Sequence, residues 1–120
     1  MKSFTFDAMA ETIRKFAVDR DWEKFHSPKN LSMAISIEAA ELLENFLWTE
    51  PEAIIPAERK QTIALEMADV VIYLIRLAQV TEVDLATAVE QKLALNAEKY
   101  PVDKVRGSAK KYSDYSEPRK

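Results

Sequence analysis

The sequence predicts an all-α protein, a four-helix bundle followed by a short basic arm. Three observations carry this. Hydrophobic residues fill 48% of the 120 positions while glycine occurs once and cysteine never, a composition of a helix-rich chain without disulfides or thiolate ligands. Apolar residues recur at three- and four-residue spacing over four stretches. Helix start and stop signals bound those stretches: Ser27-Pro28, Pro51, Thr81-Glu-Val-Asp84 and Pro101.

The first helix starts after Thr5 or Asp7, either of which can cap it, and carries Met9, Ile13, Phe16 and Ala17 on one face. The segment Asp19 to Pro28 breaks that period, so Trp22, Phe25 and His26 fall on a connection. The second helix is expected from Pro28 to Trp48, with Leu31, Ala34, Ile35, Glu38, Glu41, Leu42 and Asn45 on one face and Glu44 and Trp48 to its side. Thr49-Glu-Pro51 ends it, because the residue before a proline is biased out of the α region.

A third helix, Ala57 to Gln79, is apolar nearly all round and reads as central and buried, with Glu66, Asp69, Tyr73 and Arg76 as its polar edge. The β-branched run Val70-Val-Ile72 would suit a strand, but the length of the stretch and its lack of glycine favour helix. Thr81 and Asp84 read as a capping box opening the fourth helix, whose stripe is Val89, Leu93 and Tyr100. Asn96 falls on that same stripe, where packing alone calls for an apolar residue. These helices define residues 1–101 as one helical domain and 102–120 as an arm.

Charge divides along the same boundary. The arm holds six Lys and Arg against three acids, which leaves −6 on residues 1–101 of a chain whose net charge is −3. With a pI near 5.3, no overall field draws the protein to nucleic acid. No apolar run has membrane-spanning length, and Met1-Lys-Ser-Phe-Thr-Phe-Asp7 lacks the apolar core of a signal peptide, so a cytoplasmic protein with no membrane partner is expected. A chain of this size buries its apolar surface more fully as an oligomer.

Two carboxylate pairs stand out, Glu38-Ala-Ala-Glu41 and Glu66-Met-Ala-Asp69. At i, i+3 spacing each pair projects from one helix face, between apolar neighbours such as Ile35 and Leu42 or Ile63 and Val70. A lone Glu-x-x-Glu is ordinarily a solvated face. Four acids among apolar residues, with no Lys, Arg or His inside either motif, call for a cation. Oxygen donors without imidazole or thiolate suit Mg²⁺ or Mn²⁺. Di-iron bundles use Glu-x-x-His, and the only histidine, His26, lies outside both pairs.

Magnesium in such a site ordinarily serves phosphates. Gly107 is the sole glycine, so neither a P-loop nor a dinucleotide fingerprint is present, and charge neutralisation falls to the metal and to Lys92, Lys99, Arg106, Lys110 and Lys111. Each of these alone reads first as a solvated charge. Trp22, Phe25, Trp48 and Tyr73 are candidates for stacking on a base and Asn96 for reading its edge, against a plain packing role for each aromatic. His26 reads equally as a loop hydrogen-bonder or a substrate contact. A spare carboxylate, Glu41 or Glu44, is placed to take a proton from an attacking water.

Glu-x-x-Glu followed after 24 residues by Glu-x-x-Asp resembles the MazG-like all-α nucleotide pyrophosphohydrolases. The likeness continues in Arg20-Asp-Trp-Glu-Lys-Phe-His-Ser-Pro-Lys-Asn-Leu31, Glu41-Leu-Leu-Glu-Asn-Phe-Leu-Trp48, Ala68-Asp-Val-Val-Ile-Tyr73 and Asn96-Ala-Glu-Lys-Tyr-Pro101, which are similar to the dCTP pyrophosphatase branch and extend it over residues 6–112. Ile37 stands where many MazG proteins carry a further Glu, a departure shared with that branch.

The resemblance implies a Mg²⁺-dependent hydrolase that cuts a deoxynucleoside triphosphate, dCTP or a modified dCTP, between its α- and β-phosphates, in the service of nucleotide-pool cleaning. It implies Glu38, Glu41, Glu66 and Asp69 at the metal and Trp22, His26, Trp48, Tyr73 and Asn96 around the deoxynucleoside. Lys29, Asn30, Lys92, Arg106, Lys110 and Lys111 are its looser phosphate candidates. It also implies a homotetramer, a dimer of dimers, with neighbouring subunits closing the sites. The alternatives are a dUTP/dUDP or phosphoribosyl-ATP hydrolase of the same superfamily, or a non-catalytic nucleotide-sensing bundle.

Overall fold

A computed structural model describes residues 4–109, and among them five α-helices occur and no strand. They are α1 (Phe6–Asp19), α2 (Pro28–Glu44), α3 (Ala57–Val80), α4 (Leu85–Lys99) and α5 (Val102–Val105), with a 3-10 turn at Glu23–Phe25 between α1 and α2. The chain divides into two units, Met1–Asp84 and Leu85–Lys120. In the first, α3 packs along α2 and against α1.

Helix α1 is capped by Thr5, whose hydroxyl accepts from the Ala8 amide at 3.1 Å. Ala17 is buried and Met9 and Ile13 are partly so, whereas Phe16, expected in the core, is half-exposed. Its ring is occupied elsewhere, by Trp22 edge-on at 5.7 Å and by the Arg20 guanidinium 3.5 Å from its centroid. With so little glycine, α1 and α3 end on acids in the left-handed region: Asp21 at φ 54° and Glu82 at φ 58°. In both ends the next amide reaches back over the last turn, Trp22 to the Ala17 carbonyl at 2.9 Å and Val83 to that of Ala78 at 2.8 Å, the Schellman arrangement.

Helix α2 opens as expected, with the Ser27 hydroxyl accepting from the Asn30 amide at 3.1 Å and Pro28 in the first turn. Its inward face is the anticipated one except at Glu41, which is exposed: Leu31 is buried, and Ala34, Ile35, Glu38, Leu42 and Asn45 are half-buried. It stops at Glu44 and not at Trp48. The Asn45 and Phe46 amides bond three residues back, to Leu42 and Leu43, and the Asn45 side chain takes the Leu42 carbonyl at 3.2 Å, which tightens the last turn and supplies its partners early.

Helix α3 runs through Val70-Val-Ile72 without interruption. It is not buried all round. Ile63, Glu66, Val70, Tyr73 and Leu77 face inward, but Leu65, Met67, Val71 and Leu74 are exposed, because α1 and α2 cover one side of it. Arg76, expected on a polar edge, is 3% exposed. Thr81 belongs to the end of α3, its hydroxyl donating to the Leu77 carbonyl at 2.6 Å, so the capping box read at Thr81 gives way to a helix that begins at Leu85.

In the second unit α4 ends before Pro101, as expected. Val89 and Leu93 of its stripe are exposed and Asn96 is half-buried. The single turn α5 lies within the segment expected to be an irregular arm. No helix among the described residues is long and apolar enough to cross a membrane.

Candidate active site

The two carboxylate pairs meet where α2 packs on α3. Glu38 is at the centre. Its Oε2 is fully buried and has no hydrogen-bond partner. Burial foremost, then a hydrogen bond with Glu41 and the charges of Glu41, Asp69 and Glu66, hold its carboxyl above the usual glutamate value. The three acids expected to act with Glu38 are thus the ones whose fields reach it. Glu41 and Asp69 lie toward solvent and Glu66 is half-buried.

Asn45 is an addition that motif spacing did not reveal. Its Nδ2 donates to Glu66 Oε2, while its own carbonyl accepts from Arg59 at 3.3 Å. Among the described residues, no three Asp, Glu or His side chains are grouped closely enough, as placed, to hold a metal ion. Glu66 Oε2 is engaged by Asn45, which leaves its other oxygen for a ligand set. The donor chemistry still fits a hard cation: all four groups are carboxylates, and one oxygen is buried without a partner.

Next to the acids is a cleft of about 260 Å³ lined by Ile13, Phe16, Trp22, His26, Asp69 and Tyr73, with Ala17, Ile72 and Arg76. Three of the residues anticipated around a nucleoside, Trp22, His26 and Tyr73, are therefore brought together. Asp69 lies in both the cleft and the carboxylate group. Trp22 reaches its place through the Schellman turn and its edge-on contact with Phe16. His26 follows from the 3-10 turn, where its amide bonds the Glu23 carbonyl at 3.0 Å. Its Nδ1 accepts from Arg76 Nε at 3.1 Å, and burial, then the Arg76 charge, lower its pKa against a smaller opposing pull from Glu23.

The remaining expected residues are not gathered there. Trp48, at φ 65°, is 99% exposed and lines neither this cleft nor the groove of about 370 Å³ between the end of α2 and the start of α3. Phe25 is exposed beside Lys24. Lys29 is exposed, and Asn30 holds the turn by donating to the Phe25 carbonyl at 3.0 Å. Glu44 is the exposed last residue of α2. Lys92 and Asn96 are on α4, and Lys99 and Arg106 also belong to the second unit. Lys110 and Lys111 lie outside the described residues.

Paired carboxylates on two packed helices, beside an aromatic cleft that shares one of them, are the arrangement expected of a helical hydrolase acting on phosphate anhydrides. The MazG-like family model matches residues 33–115. The rat protein named dCTP pyrophosphatase 1 is 44% identical over 121 aligned positions, which cover 93% of this chain and 71% of that one. The human protein of the same name is 40% identical over the same shares. The crystal structure of a pyrophosphatase from Archaeoglobus fulgidus superposes with a TM-score of 0.72 at 38% identity, covering 84% of this chain and 96% of that one. The chain belongs to the MazG-like family.

Proposed function

We propose that this protein is a Mg²⁺-dependent nucleoside triphosphate pyrophosphohydrolase that converts dCTP, or a dCTP with a modified base, to the monophosphate and pyrophosphate. The observation that carries the reading is the buried, unpartnered oxygen of Glu38 on the α2–α3 contact, beside the charges of Glu41, Asp69 and Glu66. Relatives named dCTP pyrophosphatase 1 support the choice of base.

Glu38, Glu41, Glu66 and Asp69 would hold the metal, which when bound would neutralise phosphate charge and lower the pKa of an attacking water. Trp22 and Tyr73 offer ring faces for a base in the cleft. A carboxylate oxygen of Glu41 or Glu44 accepts the proton as water adds to phosphorus. The bond between the α- and β-phosphates breaks, and pyrophosphate leaves. Trp48, Lys29, Asn30, Lys92, Asn96, Arg106, Lys110 and Lys111 complete the substrate contacts in this reading, Asn96 at the base and the cations at the phosphates.

The active form is a homotetramer. Its support is the exposed apolar residues of α2 (Met33, Ile37, Leu43), of the turn after it (Leu47) and of α3 (Met67, Val71, Leu74), surface that a second copy would cover. The helical domain spans residues 1–101 and the arm 102–120, and the work of nucleotide-pool cleaning fits a cytoplasmic address. Incubating the protein with each deoxynucleoside triphosphate plus Mg²⁺ and identifying products by phosphorus NMR tests the proposal. Monophosphate and pyrophosphate, formed fastest from dCTP or a modified dCTP, are expected. Orthophosphate release, or saturable binding without turnover, contradicts it.

A further inference from the structure

Arg76 is buried in the wall of the cleft and, among the described residues, makes no hydrogen bond to a carboxylate. Its Nε donates to His26 Nδ1 at 3.1 Å and its Nη1 to Gln79 Oε1 at 2.7 Å; Gln79 Nε2 then donates to the Ala10 carbonyl at 2.8 Å. We infer that Arg76 is a positioning residue: it fixes His26 as a neutral imidazole protonated on Nε2 and so offers the cleft an uncharged hydrogen-bond donor.

The direction of every bond in this chain is set from its two ends. A guanidinium has only donors, so the nitrogen facing it must carry a lone pair, and the imidazole proton goes to Nε2. A backbone carbonyl only accepts, so Gln79 must present its NH₂ to Ala10 and its oxygen to Arg76. The reversed amide would set donor against donor at one end and acceptor against acceptor at the other. Reversing the imidazole would put a ring carbon against Arg76 and lose the bond. Choices of amide and ring orientation that are otherwise open are closed here.

The anchor points also lie on different elements: Ala10 on α1, Arg76 and Gln79 on α3, and His26 just after the 3-10 turn. The main chain of His26 is held independently, by its amide bond to Glu23 and by Asn30 on the Phe25 carbonyl. Protonating Nδ1 would turn an acceptor into a second cationic donor facing the guanidinium, which the geometry disfavours twice, by lost bond and by like charge.

In a cleft that Trp22, Tyr73 and Ile13 line together with the Asp69 carboxylate, a neutral donor suits a neutral acceptor, the carbonyl oxygen or ring nitrogen of a base or an oxygen of the sugar. Phosphate oxygens would be met better by a charged donor. This last step rests on the nucleotide reading above; the tautomer does not.

The chain has one histidine, so ¹⁵N NMR of the ligand-free protein reads His26 without assignment work. At neutral pH Nδ1 is expected to resonate as the unprotonated nitrogen and Nε2 as the protonated one. In Arg76→Met the single tautomer is expected to give way to a mixture, with KM for the triphosphate raised about tenfold and kcat within about twofold of wild type. An Nδ1–H tautomer in the wild type overturns the inference, and that measurement stands even if Arg76→Met fails to fold. An Arg76→Met protein that keeps the Nε2–H tautomer overturns the positioning role. A scrambled tautomer with unchanged KM overturns the role in binding. Should no nucleotide be hydrolysed at all, the spectrum still decides the Arg76–His26 relation, and only the proposed function falls.

Discussion

The carboxylates around Glu38 and the guanidinium of Arg76 are charges placed against apolar helix faces of the same unit, and they are accommodated in opposite ways. Arg76 is answered from within the chain, by His26 and Gln79 and through Gln79 by a carbonyl of α1. Glu38 is surrounded by groups of its own sign, and one of its oxygens has no partner. The first arrangement stabilises the fold and needs nothing added. The second is a local excess of negative charge that a cation would relieve, so substitution at the two places should move stability in opposite directions.

The largest effect is expected on turnover. Glu38→Gln or Asp69→Asn is expected to reduce triphosphate hydrolysis by about two orders of magnitude or more while the far-ultraviolet helical signal persists. Retained activity in either variant removes the assignment of these acids to the metal.

Arg76→Met leaves Gln79 and His26 without a donor and is expected to cost about 2–4 kcal/mol of stability, measured by urea unfolding. Glu38→Gln, in contrast, is expected to gain about 1 kcal/mol in metal-free protein, because it removes like-charge repulsion and gives the buried site a donor. If both variants lose stability equally, the contrast between the two regions is wrong.

A smaller effect is expected with pH, again of opposite sign at the two places. His26 has its folded pKa lowered by burial and by Arg76. Its contribution is therefore fully present above the unfolded value of 6.5 and is lost as pH falls through the folded value. Glu38, with its folded pKa raised by burial and its acidic neighbours, contributes below the unfolded value of 4.5 and loses that contribution as pH rises through the folded value. Thermal unfolding between about pH 7.5 and pH 5.5 should show the wild type losing more stability than His26→Gln. Equal loss in the two proteins removes the histidine as the source.

The smallest effect concerns the helix ends. Asp21→Gly relieves a left-handed residue and is expected to add about 1 kcal/mol, read as a raised urea midpoint. No gain would mean that the Schellman turn carries no strain at Asp21.

The difference between the two regions also explains what could be read from the chain alone. Glu38, Glu41, Glu66 and Asp69 repeat at helical spacing among apolar neighbours, so their common face was legible, as was the inward face of α2 through Leu31, Ile35 and Leu42. The Arg76 network joins residues separated by 50 positions to His26 and, through Gln79, by 69 to Ala10, and no local period records such a pairing. From spacing alone Arg76 belongs to a polar edge. Asn45 shared the acids' face, yet its contact with Glu66 depends on how α2 meets α3. The early stop of α2 was hidden for a related reason, since the last carbonyls are satisfied by an Asn side chain and not by a glycine or proline that spacing would flag. The exposed side of α3 was missed because an all-apolar helix reads the same whether its second face is covered by its own chain or by another copy.

The most direct test of the central claim, that the excess negative charge around Glu38 is a cation site, is the melting temperature of wild type and Glu38→Gln with and without saturating Mg²⁺ or Mn²⁺. The wild type is expected to melt lower than the variant when metal-free and to melt higher with metal, which at a hundredfold excess over Kd adds about 2.7 kcal/mol of stability, while the variant gains little. An equal rise in both proteins, or none in the wild type, contradicts the account.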